Sequence, residues 1–186
     1  MPNKVVFPGG AVDPGDAQVP FAFPLTDPCR TRLAEPAGAA PETLAAAAIR
    51  ELWEETGQIA GAPGRWDDPP EGWQSFAATG YRPDARHLHY VFRAVTPPGR
   101  PRRFDARFFL LTAEALAGDP DDVSGADDEL SGLAWVELET ARTLDLPFVT
   151  AIALGEVAAH LPRLTAPDRV PVFADGHAVG DAAFRA

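Results

Sequence analysis

Residues 41–57, PETLAAAAIRELWEETG, constrain the fold more than any other stretch of the chain. Strong helix formers run from Pro41 to Thr56. Pro41 suits a first helical turn, where its missing N–H costs nothing, and Gly57 supplies the left-handed residue that ends a helix. A helix over Pro41–Thr56 is therefore expected, and it carries an unfavourable face. Glu51, Glu54 and Glu55 fall within an arc of roughly 100° at 3.6 residues per turn. Like charges so placed weaken a helix by roughly a few tenths of a kcal/mol per pair. Solvent tolerates such a face, and a divalent cation would reverse its cost. Mg2+ and Mn2+ take carboxylate oxygens at roughly 2.0–2.2 Å and leave positions for water or substrate phosphates.

The flanking segments set the fold class. KVVF (residues 4–7) is a β-branched and aromatic run stopped by PGG, which predicts a strand entering a tight turn. Residues 11–40 are crowded with Pro and Ala and show no sustained period, so they are expected as a long loop. Such loops inside a compact domain are functional or inserted. After a second Gly/Pro-rich loop over 61–75, HLHYVFRAV and ARFFLLTA predict strands joined by the basic turn TPPGRPRRFD, and GLAWVEL predicts another after the acidic DPDDVSGADDEL. PFVTAIALGEVAAHL has apolar residues at helical spacing and predicts a second, amphipathic helix. The tail RVPVFADGHAV fits one more strand or an edge segment. Strands and helices interspersed in this way predict an α/β or α+β sandwich without internal repeats.

Composition narrows the partners. A chain of 186 residues, 46% hydrophobic and 23% charged, is long enough for one substantial core and short for two, so one domain spanning 1–186 is expected. The formal net charge of −11 repels nucleic acid and anionic lipid, so a polyanionic substrate needs local positive charge or a metal. Cys29 is the single cysteine, which excludes a disulfide framework and a thiolate zinc site and suits a reducing compartment, the cytoplasm. No apolar run reaches the roughly 18 residues of a membrane span, and MPNKVVFPGG lacks the succession of a signal peptide. The chain reads as soluble and unexported.

The glutamates stand in particular company. Arg50-Glu51-Leu52-Trp53-Glu54-Glu55-Thr56-Gly57 contains the pattern Arg-Glu-x-x-Glu-Glu-x-Gly, expected by chance on the order of once in a few thousand chains of this length. This segment matches the heart of the Nudix hydrolase box: Gly, five residues, Glu, seven residues, Arg-Glu, an apolar residue, any residue, Glu-Glu, any residue, Gly, apolar. Gly10 and Asp16 resemble the opening half, with Asp for the first Glu, but Asp16 lies far upstream of Arg50. Glu42 stands at the family's spacing from Arg50, with Pro36 where that register wants Gly. The two halves read as split by an insertion over about 17–40. Gln58 departs from the apolar residue that closes the box, and Ile59 follows it. The split, together with TPPGRPRRFDARFF, resembles the subgroup that includes the peroxisomal coenzyme A diphosphatases. DELSGLAWVELETA is similar to the strand and helix start that close many Nudix sheets.

The resemblance implies a mixed β-sheet sandwiched between helices. Only six residues precede Phe7, so the first strand or strands are expected to be missing, the start being an internal Met or the chain trimmed, or residues 169–179 filling the place. The resemblance further implies hydrolysis of a nucleoside diphosphate linked to another moiety, by attack of a metal-activated water on a diphosphate phosphorus. Mg2+ or Mn2+ is the implied cofactor. Glu51 and Glu55 are then expected metal ligands, Glu54 a ligand or the general base, and Arg50 the group that holds the carboxylates in position through charge-assisted hydrogen bonds. The Gly9/Gly10 turn would bring a backbone carbonyl to a metal, with Gly10 the candidate ligand. Glu129, beside Asp127 and Asp128, is the candidate further acid, against a solvated loop.

Arg100, Arg102, Arg103 and Arg107 form the densest basic patch. Arg102, Arg103 and Arg107 are candidate phosphate contacts, since guanidinium forks match phosphate oxygens, against a solvated turn in which Arg107 pairs with an acid. Phe104 and Trp135 could stack on an adenine, but as aromatics at strand positions they are expected in the core. His87, His89, His160 and His177 show no metal-ligand spacing, and Cys29 lacks a base. Coenzyme A or an acyl derivative is the implied substrate, with ADP-ribose or another nucleotide sugar as the competitor and a nucleotide-binding sensor that hydrolyses nothing as the alternative class. A small-molecule nucleotide diphosphate is thus the partner expected; a homodimer stays open.

Overall fold

A computed structural model describes residues 4–36, 38–122, 132–161, 165–174 and, as backbone, 177–181. The expected helix is present: α2 spans Pro41–Thr56, with proline in its first turn and Gly57 at φ 72 donating its N–H to the Trp53 carbonyl. Ala45, Ala46 and Ile49 are buried along it. Small residues on that stripe let the helix lie close to its neighbours.

The segment between residues 11 and 40 is not one irregular loop. Pro14–Gln18 forms a 3-10 turn and Cys29–Leu33 a short helix, α1. Leu25, Cys29 and Leu33 are as buried as any core residue, so the inserted chain supplies part of the core instead of decorating it. The Gly/Pro-rich stretch after α2 likewise contains β1 (Gly61–Pro63), which pairs antiparallel with β2 (Tyr81–Pro83) across the short helix α3 (Gln74–Ala78).

The larger sheet has β3 (His89–Val95) at its centre. β4 (Asp105–Leu110) joins it antiparallel, completing the expected hairpin. On its other side β5 (Pro171–Ala174) lies parallel, through Arg93↔Val172 and Ala94↔Phe173, and β6 (His177–Asp181) closes that edge antiparallel to β5. Residues 171–174 and 177–181 thus enter the sheet beside β3. A register shift between Tyr90 and Phe92 breaks the alternation of β3. One extra residue in a strand turns the following side chains to the other face. Tyr90 accordingly packs with α1 and α2, whereas Val91, Phe92 and Ala94 pack with Ala153 of α5 (Phe148–His160). The mixed sheet is held between helices, as the Nudix resemblance implies. At the irregularity, the Tyr90 amide donates to the Cys29 sulfur at 3.3 Å. Burial pushes the Cys29 thiol up, which leaves it an inert packing group.

Two expected strands are absent among the described residues. Val5–Phe7 run exposed without a ladder partner; the Val5 amide reaches the Asp145 carbonyl at 3.3 Å, and Phe7 meets Phe108 edge-on. Of GLAWVEL, residues 132–137 are extended but in no ladder among the described residues, with Trp135 and Val136 exposed, and Leu138 begins α4 (Leu138–Ala141). Both runs have strand-like composition, but neither joins a sheet among the described residues, and β-propensity measures fit to a half-buried pleated surface more than an intrinsic preference.

An ion network ties the inserted segment to the sheet. Arg93 pairs with Glu35 and with Asp105 at 2.8 Å, and Arg107 reaches Asp105 at 3.0 Å and Glu35 at 3.5 Å. Burial alone would raise the Asp105 carboxyl; the hydrogen bond from Arg93 and the two guanidinium charges more than reverse this and hold it below the usual range. Because Leu33 is a core residue of α1, Leu33→Ala is expected to cost about 2–4 kcal/mol in urea unfolding. A loss under about 0.5 kcal/mol would mean that the inserted segment is dispensable to the core.

Candidate metal-binding carboxylate site

The site is built around one buried guanidinium. Arg50 is 3% exposed. Its Nε donates to Asp16 Oδ1 at 3.0 Å, and its two terminal nitrogens donate to Asp16 Oδ2 at 3.1 Å, the Ala11 carbonyl at 2.8 Å, Glu51 Oε1 at 2.9 Å and Glu54 Oε2 at 2.9 Å. An arginine has five N–H donors, and each has a partner here. Burial alone would depress the Arg50 pKa; the bond and charge of Asp16, with those of Glu51, more than reverse it, so the guanidinium stays charged at any ordinary pH.

Asp16 settles which acid opens the box. Its side chain is fully buried, accepting also from Trp73 Nε1 at 3.0 Å and from the Asp13 amide at 2.8 Å. Glu42 instead lies on α2 beside α1, paired with Arg30 at 2.5 Å. The register through Gly10 and Asp16 therefore reaches the acidic face, although residues 17–49 separate Asp16 from Arg50. With four donors on its two oxygens, Asp16 has its acceptor positions filled and serves as an anchor for Arg50.

The glycine turn meets the same face. The Gly9 amide donates to Glu55 Oε2 at 2.8 Å, and a Cβ built on Gly10 would overlap the Glu51 carboxylate. Only glycine lets the backbone pass this close. Glu51 is also electrostatically burdened. Burial pushes its carboxyl up, the neighbouring charges of Glu54 and Asp13 add to this, and Arg50 only partly offsets them.

The donor set suits a divalent cation. Glu51, Glu54, Glu55 and the backbone of the Gly9/Gly10 turn present hard oxygens on one helix and the loop facing it, with no sulfur or imidazole among them, which suits Mg2+ or Mn2+. The Gly10 backbone lies against the Glu51 carboxylate with no room for a methyl group between them. Among the described residues, no three His, Cys, Asp or Glu side chains stand close enough to hold one ion between them. Mg2+ commonly takes one or two carboxylates and completes its shell with water and substrate phosphates, so the donors fit such an ion.

Other candidates are placed elsewhere. Glu129, with Asp127 and Asp128, lies outside the described residues. Arg107 is engaged by Asp105 and Glu35, the pairing its alternative reading anticipated, while Arg103 Nε donates to the Thr96 carbonyl at 3.1 Å in the exposed β3–β4 turn with Arg102. Phe104 and Trp135 are both more than 60% exposed, where strand composition favoured a core. Trp135 Nε1 donates to the Pro120 carbonyl at 2.9 Å, and Gln58, just beyond the end of α2, donates its side-chain amide to the same carbonyl at 3.1 Å and to that of Asp122 at 3.0 Å. The polar residue at the end of the box is thus a buried anchor for the 120–122 segment. Burial lowers His89, with the charge of His87 adding to it. Sequence reasoning missed Trp73, whose only signal was its type: a buried tryptophan normally seeks a partner for its N–H.

Similarity to known proteins extends over most of the chain. The family model for the NUDIX domain matches residues 27–154. A curated Caenorhabditis elegans protein named "Putative nudix hydrolase 7" is 27% identical over 157 residues, which cover 74% of this chain and 42% of that protein; the chain thus spans less than half the length of this relative. The crystal structure of a NUDIX hydrolase from Alicyclobacillus acidocaldarius is similar at a TM-score of 0.62 and 27% identity, over 89% of this chain and 83% of that one. The family match begins downstream of Gly10 and Asp16, which only the folded structure brings to the helix.

Two outcomes are expected. Gly10→Ala displaces the far end of a flexible side chain, so it should shift Tm by no more than a few degrees yet abolish most of the thermal stabilisation that Mg2+ confers. For Glu51 the sign follows from its raised pKa: its contribution to stability is intact below the unfolded value of about 4.3 and is lost as pH rises through the folded one. Metal-free Glu51→Gln should therefore melt above the parent at pH 7, with the gap closing toward pH 4; a lower Tm at neutral pH would contradict the burden described.

Proposed function

This chain belongs to the Nudix family, and from that premise we propose that it is a Mg2+- or Mn2+-dependent diphosphatase acting on a nucleoside diphosphate linked to another moiety. It is read as one domain over 1–186 with an insertion at about 17–40. The observation that carries the proposal is Arg50 bonded at once to Asp16, Glu51 and Glu54. A pure nucleotide binder has no use for a face of mutually repelling carboxylates held this firmly.

When bound, the cation would neutralise charge on the diphosphate oxygens and acidify a water. The chain's own groups do the rest. Arg50 keeps Glu51 and Glu54 oriented, and the Gly9 amide holds Glu55. Glu54, where it is not itself a ligand, accepts the proton of the attacking water, in line with the bond to be broken; the P–O–P bridge then opens to two phosphate monoesters. Glu51, Glu54, Glu55 and the Gly10 carbonyl are assigned as the ligand set, with Glu129 as an outer ligand.

The substrate class favoured is coenzyme A or acyl-CoA, supported by the split between Asp16 and Arg50 and by the TPPGRPRRFDARFF segment. Arg102 and Arg103, in the exposed turn, are assigned to substrate phosphates, and Arg107 to holding that hairpin against Glu35. The exposed indole of Trp135, tethered through Pro120 to Gln58 at the end of α2, offers a flat apolar surface for a base. A cytoplasmic setting agrees with a single, buried cysteine.

Turnover of CoA, acyl-CoA and ADP-ribose with Mg2+, followed by mass identification of both monoesters, tests the proposal. Glu54→Gln and Glu55→Gln should lower kcat, at least one of them by about 100-fold or more. Parent-like turnover in both removes the mechanism. Tight nucleotide binding without monoester release would assign a sensor instead.

A further inference from the structure

We propose that the Pro70–Trp73 turn is a clamp that closes the split box, and that Trp73 is the positioning residue for the metal-binding carboxylates. This rests on the reading of the site as a metal centre.

A box with its two halves joined by seven residues keeps its first acid beside the arginine by chain connectivity. Here residues 17–49 intervene; as a flexible link they would lower the local concentration of Asp16 at Arg50 by about tenfold, and they are instead folded against α2 through Leu25, Cys29 and Leu33. Something other than connectivity must hold the halves together. The turn over 70–73 touches both. Its amide at Trp73 bonds the Pro70 carbonyl at 3.0 Å, and Gly72 takes φ 85. From the first half, Gly15 lies so near the Glu71 carbonyl that a Cβ there would overlap it. From the second half, a Cβ on Gly72 would sit 3.7 Å from Arg50 Cδ. Trp73 completes the contact by donating Nε1–H to Asp16 Oδ1 at 3.0 Å, on the oxygen that also accepts Arg50 Nε.

The indole is itself immobilised. Trp73 is fully buried, with ring centroids 5.8 Å from Trp66 and 5.3 Å from Phe76. Its N–H is thus a fixed point in a rigid aromatic cluster, and the order runs outward from there: Trp73 sets Asp16, Asp16 sets Arg50, and Arg50 sets Glu51 and Glu54. A buried carboxylate that loses one of four donors also draws less strongly on the other three positions around it, because hydrogen bonds in such a network reinforce one another.

Trp73→Phe keeps the ring and deletes the donor. Trp66→Phe is the matched control, because Trp66 belongs to the same aromatic cluster and its buried Nε1 has no hydrogen-bond partner among the described residues. In Trp73→Phe, Mn2+ binding followed by EPR should weaken about fivefold or more and the Mg2+ concentration for half-maximal turnover should rise in step, while kcat at saturating Mg2+ stays within about twofold of the parent. Hydrogen exchange at Arg50 Nε–H, read by nitrogen-edited NMR without metal, should accelerate about tenfold. Trp66→Phe should change neither. Unaltered Mn2+ affinity and Arg50 exchange in Trp73→Phe, or equal effects in Trp66→Phe, overturn the clamp. A parent that binds no Mn2+ and hydrolyses no diphosphate removes the proposed function, and the metal-free exchange measurement still decides the clamp.

Discussion

A buried guanidinium with all five of its N–H groups bonded is the interaction on which the arrangement of the site depends. Arg50 carries a full positive charge into the interior, and such a charge is costly unless its partners are placed well. Asp16 compensates it directly, whereas Glu51 and Glu54 share one terminal nitrogen. The same contacts that stabilise Arg50 relieve the repulsion between the glutamates on α2. An acidic face in a protein of net charge −11 thereby becomes a set of oxygens with fixed directions. Preorganisation of this kind matters more for chemistry than for stability, because groups that do not have to rearrange lose nothing when a charged ligand arrives.

The scaffold serves that arrangement from two sides. Tyr90 and the residues after it face opposite ways on β3 because of the strand irregularity, so one central strand packs with α1 and α2 on one face and with α5 on the other. The inserted residues are bound into this scheme. Leu25, Cys29 and Leu33 enter the core with α2, and Glu35 joins the arginines of β3 and β4. An insertion that interrupts a functional motif is tolerated when it is folded against the helix bearing the second half, so that the first half is delivered to the same place. Gly9, Gly10 and Gly15 then permit approaches that any side chain would obstruct or strain.

Much of this was legible in the chain and some was not, for separable reasons. α2 was readable to its last residue because capping and helix propensity are local, and the β3–β4 hairpin because its apolar runs and basic turn are. KVVF and GLAWVEL have the composition of strands, yet Val5–Phe7 and residues 132–137 join no ladder among the described residues. Pairing is a property of the edge on offer, which a segment does not carry with it. Trp135 and Phe104 were misplaced for the same reason: an aromatic residue in a strand-like run is buried only if something covers it, and nothing among the described residues does. α1 was hidden by a stretch without periodicity, since five residues are too few to display one.

The order of residues determined the chemistry available: Arg50 with Glu51, Glu54 and Glu55 on one helix is a consequence of helical geometry, and no packing was needed to put those carboxylates on a common face. Whether that face was completed by Asp16 or left to Glu42 could not be decided from spacing, because the span between the halves is long and a flexible chain of that length has many closures. Tertiary structure decided it by burying Asp16 with Arg50 under Trp73 and leaving Glu42 at the surface with Arg30. Proximity along a helix is written in the sequence; proximity across a fold exists only once the core has chosen which distant groups are sealed from water together.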